Sequence, residues 1–100
     1  MSETVFYSDT RGHNLFGYRV RDVEATRPFR KGDVAVVNPN LPARHGDYVV
    51  ARGGDGCALM LFIEGPSGAL LATLGSEEPP VSASRFVLLG RVVEKRRSYK

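Results

Sequence analysis

Turn-forming residues interrupt this chain so often that no apolar stretch sustains a 3.6-residue period. Between residues 31 and 68 the chain passes through Lys31-Gly32-Asp33, Asn38-Pro39-Asn40-Leu41-Pro42, His45-Gly46-Asp47, Gly53-Gly54-Asp55-Gly56 and Gly65-Pro66-Ser67-Gly68. The runs between these breakers are short and rich in β-branched or aromatic residues, the signature of strands. Phe16, Tyr18 and Val20 alternate with Gly17 and Arg19, as a half-buried strand requires. Val34–Val37, Tyr48–Arg52, Cys57–Glu64, Ala69–Leu74 and Arg85–Glu94 continue the series. Tyr48–Arg52 and Cys57–Glu64 flank a glycine-rich reversal and read as a hairpin. Asp22–Lys31, with Pro28, and Gly75–Ser84, with Pro79-Pro80, read as loops. The expected fold class is mainly β: several short, strongly twisted strands in a compact barrel-like or sandwich arrangement.

One hundred residues make a single domain, 1–100, with a modest core. The longest purely apolar stretch, Ala58–Ile63, is far shorter than the roughly 20 residues that span a bilayer. No basic-then-apolar leader is visible, so a cytoplasmic protein without a membrane partner is expected. Cys57, the sole cysteine, can form no internal disulfide and anchors no metal cluster. The net charge of +3 is unevenly placed. The last ten residues hold +4, so the other ninety sum to −1. A basic tail over 95–100 can touch phosphate, but a solvated, frayed terminus is the commoner meaning.

Several constellations invite a chemical reading. The loop Gly53–Gly56 lacks the following Lys-Ser/Thr and the helix of a phosphate loop, which leaves a hairpin turn. His13 and His45, with Asp9, Asp47 or Cys57, fit no ligand or triad spacing and read as surface residues. Cys57 would need a nearby base to act as a nucleophile. Glu77 and Glu78, adjacent in a loop, read as solvated charge. Arg19, Arg21, Arg27, Arg30 and Lys31, interleaved with Phe16, Tyr18 and Phe29, would suit single-stranded nucleic acid, or equally the solvent face of a strand and its loop. No cofactor and no metal site is expected.

Four pieces recur in a telling order. Val20-Arg21-Asp22 ends a strand, and Phe29-Arg30-Lys31-Gly32-Asp33 makes a first Gly-Asp turn. His45-Gly46-Asp47-Tyr48-Val49-Val50-Ala51-Arg52 makes a second turn and strand, and Leu88-Leu89-Gly90-Arg91-Val92-Val93 a terminal strand. Over about residues 15–94 this order resembles the C-terminal domain of LexA, UmuD and lambda-type phage repressors, a Ser-Lys peptidase domain with a signal-peptidase-like β fold. In that family a Ser hydroxyl is activated by a neutral Lys amine, since a hydroxyl is a weak nucleophile without an adjacent base and burial disfavours the charged amine. The resemblance places Val23 at the Ser position and Met60 at the Lys position. The family's Gly before Asp is Arg21 here, and its Met after Ser is Glu24.

No Ser or Thr lies within two residues of Val23, and no Lys occurs between Lys31 and Lys95. Val23 and Met60 are expected to pack side by side, which a hydroxyl and an amine could do only with polar partners. The family's scissile Ala-Gly peptide has no counterpart. The resemblance therefore implies a domain without catalytic residues that keeps the family's other role, self-association. The implied protein is a non-proteolytic, homodimeric module of a phage-like or bacterial transcriptional repressor, of the SOS-response type, with Phe86, Leu88, Arg91 and Val93 as interface candidates. DNA would be bound only indirectly, through a domain outside this chain. Two alternatives stay open: a UmuD-like accessory that binds a polymerase or another protein partner, and a serine-peptidase-like enzyme with an unrecognised site.

Overall fold

A computed structural model of the chain describes residues 14–97 and, for the backbone alone, residues 5–7. The strands are β1 (Val5–Tyr7), β2 (Phe16–Arg19), β3 (Val34–Asn38), β4 (Tyr48–Gly53), β5 (Gly56–Gly65), β6 (Gly68–Thr73), β7 (Val81–Ser82) and β8 (Val87–Arg96). All lie in one antiparallel sheet of order β1-β2-β3-β8-β4-β5-β6-β7. The mainly β expectation holds. Single 3-10 turns at Asp22–Glu24 and Ala83–Arg85 interrupt what read as loops.

Strand β8 joins the two halves of the sheet. Its distal part, Arg91–Arg96, pairs with β3, and its proximal part, Val87–Arg91, pairs with β4. Each register contains a bulge. Val93 has no partner between Val36↔Glu94 and Val37↔Val92, and Leu89 has none between Val50↔Gly90 and Ala51↔Leu88. Such insertions bend and twist a strand, and here they let one strand serve two neighbours.

The two faces of the sheet carry separate cores. Phe16, Tyr18, Val20, Phe29, Ala35, Val37, Val50 and Leu59 form the first. Val49, Ala51, Met60, Phe62 and Leu71 form the second, covered by Ala43, Ala83 and Phe86. The strand period of two accounts for this division, since Val49 and Val50 necessarily point to opposite faces. The ring of Phe29 meets that of Tyr48 edge to face, with centroids 5.0 Å apart.

The two Gly-Asp turns share one construction. The carboxylate of Asp33 accepts the N–H of Arg30 at 2.9 Å, and its own N–H returns to the Arg30 carbonyl at 3.0 Å. Asp47 repeats both bonds with Arg44, at 2.8 and 2.9 Å. Gly32 and Gly46 take φ of 88° and 90°, values that side-chain-bearing residues rarely adopt. Each turn launches a central strand, β3 or β4.

The glycine loop at Gly53–Gly56 is the tip of the β4–β5 hairpin, as expected. The proximal part of the basic tail is strand rather than frayed chain. Lys95 and Arg96 pair with Ala35 and Val34, and Lys95 Nζ donates to the Pro28 carbonyl at 2.6 Å. No helix among the described residues is long and apolar enough to cross a membrane.

Candidate functional site

The first motif strand leads into the most polar buried structure of the protein. After β2 the chain passes Val20 and turns through Asp22–Glu24, which swings Glu24 back beneath Tyr18. Glu24 is fully buried. Its carboxylate accepts the Tyr18 hydroxyl at 2.7 Å on Oε2 and 2.9 Å on Oε1. It also accepts the Arg21 N–H at 3.0 Å, the Arg21 guanidinium at 3.0 Å and the Leu59 N–H at 2.8 Å.

The last bond explains the placement. Pairing of β6 with β5 ends at Met60↔Thr73, and Leu59 is the next residue along β5 whose N–H faces that edge. The Glu24 carboxylate takes the position of the missing strand. Burial pushes this carboxyl upward, but the Arg21 guanidinium, the N–H groups of Leu59 and Arg21, and the Tyr18 hydroxyl outweigh it, so Glu24 titrates below the usual glutamate range. Burial, reinforced by the carboxylate it donates to, holds the Tyr18 phenol above its usual range. The bond to Glu24 raises the Arg21 guanidinium further.

Beside this network lies an open cleft of about 390 Å3. Arg21, the Gly53–Gly56 tip, Cys57, Ala58, Met60, Thr73, Arg85 and Phe86 line it. Met60 is 1% exposed and belongs to the second core cluster. Val23 is 68% exposed on the 3-10 turn and does not line the cleft. The expected packed pair of Val23 and Met60 is therefore not formed. The turn that carries Val23 is held by its neighbour Glu24, whose side chain points inward while that of Val23 points to solvent.

The interface candidates occupy different settings. Phe86 precedes β8 and packs half-buried on the second core cluster, its ring so close over Gly53 that a Cβ there would lie 2.8 Å away. Arg91 reaches across to the Pro42 carbonyl at 3.2 Å and to Asp47 at 3.6 Å. Leu88 and Val93 are 41% and 44% exposed. The register puts Leu88 beside Ala51 and Arg91 beside Val49, so Leu88 and Arg91 share one face.

The remaining candidates stay apart. His45 accepts the Glu64 N–H on Nδ1 at 3.0 Å. His13 and Asp9 lie outside the described residues. Cys57 is half-buried against the first core cluster. Glu77 and Glu78 are exposed in the β6–β7 loop. Phe16, Tyr18 and Phe29, the aromatics interleaved with the basic run, are all buried in the first core cluster.

Among the described residues no three of His, Cys, Asp and Glu converge on a common point. Among them, too, the one hydroxyl bonded to a carboxylate is the Tyr18 phenol, which donates to Glu24.

The Tyr18–Arg21–Glu24–Leu59 network escaped the sequence reading because Glu24 sits in a polar run and its strand partner is 35 residues away. One signal was present. A tyrosine in an alternating apolar strand must bring its hydroxyl to a partner, and Glu24 is the carboxylate that meets it.

No family model matches this chain, and no curated protein matches it.

Proposed function

We propose that this chain is a non-proteolytic association module of the LexA and phage-repressor type, pairing two copies of a bacterial or phage-like transcriptional regulator in the cytoplasm. The observation that carries the proposal is the crowding of exposed apolar side chains onto β8. Three of the five large apolar residues exposed among the described residues, Val87, Leu88 and Val93, lie on this one strand. Its staggered pairing supports the same reading, since Val92–Arg96 have a strand on one side only and so do Val87–Gly90. Unpaired strand edge beside apolar surface is what a second copy can cover. Leu88 and Val93 are the anchors, and Arg91, held by Asp47 and Pro42, stiffens the strand between them. Phe86 supports the strand from within the second core cluster.

Light scattering over a concentration series tests the reading. The chain is expected to be a dimer that persists on dilution. Leu88→Asp with Val93→Asp should weaken that dimer at least roughly 30-fold, the loss of about 2 kcal/mol typical of an interface anchor. A native chain that is monomeric throughout, or a double variant that associates unchanged, would reject the module.

Loss of catalysis has its own test. Where the family's Lys and Ser would stand, the reading puts Met60, buried on the second core cluster, and Val23, facing solvent, neither of which can act as base or nucleophile. Prolonged incubation at raised pH, where a buried lysine base would be neutral, should leave the mass of the chain unchanged. A discrete fragment would instead support the enzyme.

A further inference from the structure

We propose that the end of the sheet where β2 finishes, β3 begins and β8 finishes is a phosphate-binding surface for double-stranded nucleic acid. In the sequence ten of the fourteen basic residues fall in two distant stretches, 19–31 and 91–100. The fold brings them together. Arg19 pairs with Val34, and Val34 pairs with Arg96. Directly opposed residues share a face, so the two arginines flank Val34 at about 10 Å, twice the spacing of adjacent strands.

The turn carrying Arg30 and Lys31 leads straight into Val34, and the Lys95–Pro28 bond pins the loop holding Arg27 against the end of β8. Eight of the twelve basic residues described lie here, against four acidic ones, and two of those four, Glu24 and Asp33, are buried and saturated within the fold. The rest of the described chain carries four basic and five acidic residues.

The free cations at this end are specific. Arg27, Arg30, Lys31 and Arg97 are exposed and hold none of the hydrogen bonds and ion pairs described above with their side chains. Arg96 is paired with Glu94 at 3.2 Å, but both are half exposed, so phosphate can replace the carboxylate. Of the eight basic residues six are arginine, whose planar fork grips phosphate in two bonds.

The same geometry selects the nucleic acid. Phe16, Tyr18 and Phe29 are consumed by the core, so among the described residues no aromatic platform remains at this end on which unpaired bases could stack. Contact is therefore with the backbone of a duplex and is independent of sequence. A lipid surface is disfavoured because Val23 and Val93 are the large apolar side chains exposed nearby, with no aromatic or leucine among the described residues there to insert.

Fluorescence anisotropy of a labelled random-sequence duplex of about 20 base pairs, titrated with the full chain, tests the surface. Four or five neutralised phosphates give a slope of log affinity against log salt of about −4, a loss of roughly 250-fold between about 50 and 200 mM salt. Arg30→Glu with Lys31→Glu should weaken binding at least about tenfold at the lower salt. Arg27→Glu with Arg97→Glu is a second pair that alters neither Gly-Asp turn and should do the same. Arg44→Glu with Arg52→Glu makes the same change in net charge at exposed residues outside this group of eight and should leave affinity within about twofold. Absence of duplex binding at the lower salt, an equal loss in all three double variants, or equal or tighter binding to a single-stranded oligonucleotide or to phosphatidylserine vesicles would overturn the proposal.

Discussion

Replacing Glu24 with alanine is expected to lower the thermal unfolding midpoint by roughly 20 °C. Three elements lose their common acceptor at once: the Tyr18 hydroxyl of β2, the Leu59 N–H of β5, and both the backbone and the guanidinium of Arg21. A buried donor left without a partner costs about 1–3 kcal/mol, and breaking a buried ion pair from one side about 3–5 kcal/mol. Arg21 recovers water, because its side chain is half exposed, but the hydroxyl and Leu59 are sealed. A net loss of about 4 kcal/mol follows, and in a domain of this size each kilocalorie moves the midpoint by about 4–8 °C. Tyr18→Phe removes one donor and keeps the carboxylate's other partners, so it should cost only about 1–2 kcal/mol.

The pH dependence of the native chain carries the same signature. The folded Glu24 carboxyl titrates below its unfolded value, so its stabilising contribution is intact above the ordinary glutamate range and disappears as the pH falls through the lower folded value. Tyr18 acts at the opposite extreme. Its folded pKa is raised, so its contribution is complete below the ordinary phenol range and declines as the pH rises through and beyond it. Thermal melts across acid pH should therefore fall more steeply for the native chain than for Glu24→Gln. Parallel curves would show that the carboxylate is not the acid-sensitive element.

Gly75→Ala should be nearly as damaging, by about 3 kcal/mol or roughly 15 °C. Gly75 has φ of 78°, and a side chain in this region costs about 1–2 kcal/mol by itself. The new Cβ would also fall on the Val23 carbonyl oxygen, 2.9 Å from its carbon and 3.5 Å from Glu24 Cα. The obstacle is backbone, which cannot rotate aside, so overpacking adds about 1–3 kcal/mol.

Gly54→Ala is the control. It sits at the β4–β5 tip with open space around its Cβ position and without a positive φ, so its midpoint should stay within a few degrees. Because Gly75 and Glu24 act on one turn, the double variant should lose less than the two single losses combined. Simple additivity would separate the β6–β7 loop from the Glu24 network.

Six of the eight strands, β2–β6 and β8, were legible because each spans a short apolar run closed by a turn that the chain writes in glycine, proline or aspartate, whereas β1 (Val5–Tyr7) was not read. Both Gly-Asp turns could be read directly, since the positive φ and the returning carboxylate are local to four residues. β7 could not, because Val81–Ser82 pair only with Leu70 and Leu71 and carry no period of their own. The end of β8 was underestimated for a different reason. Lys95 and Arg96 read as solvated tail, but pairing with Ala35 and Val34 keeps them in the sheet.

Around the candidate site the cleft positions are spread from Arg21 to Phe86, and only the hairpin brings most of them together. Side-chain direction was the other hidden quantity. Val23 and Glu24 are neighbours in sequence, and the 3-10 turn sends the charged one inward and the apolar one outward, against the ordinary preference of both.

Strand β8 also sets the order in which the molecule can be made. The two groups of strands it joins, β1–β3 and β4–β7, share no strand pairing with each other, and both are synthesised before it. Until β8 arrives, the inner edges of β3 and β4 are open templates at the centre of the future sheet rather than at its rim. Hairpin contacts within β4–β6 can form early, but the Val34–Arg96 pairing waits on closure of a long loop, which slows folding. The nascent chain thus carries its aggregation hazard in the middle, and the strand that seals it comes last of the eight.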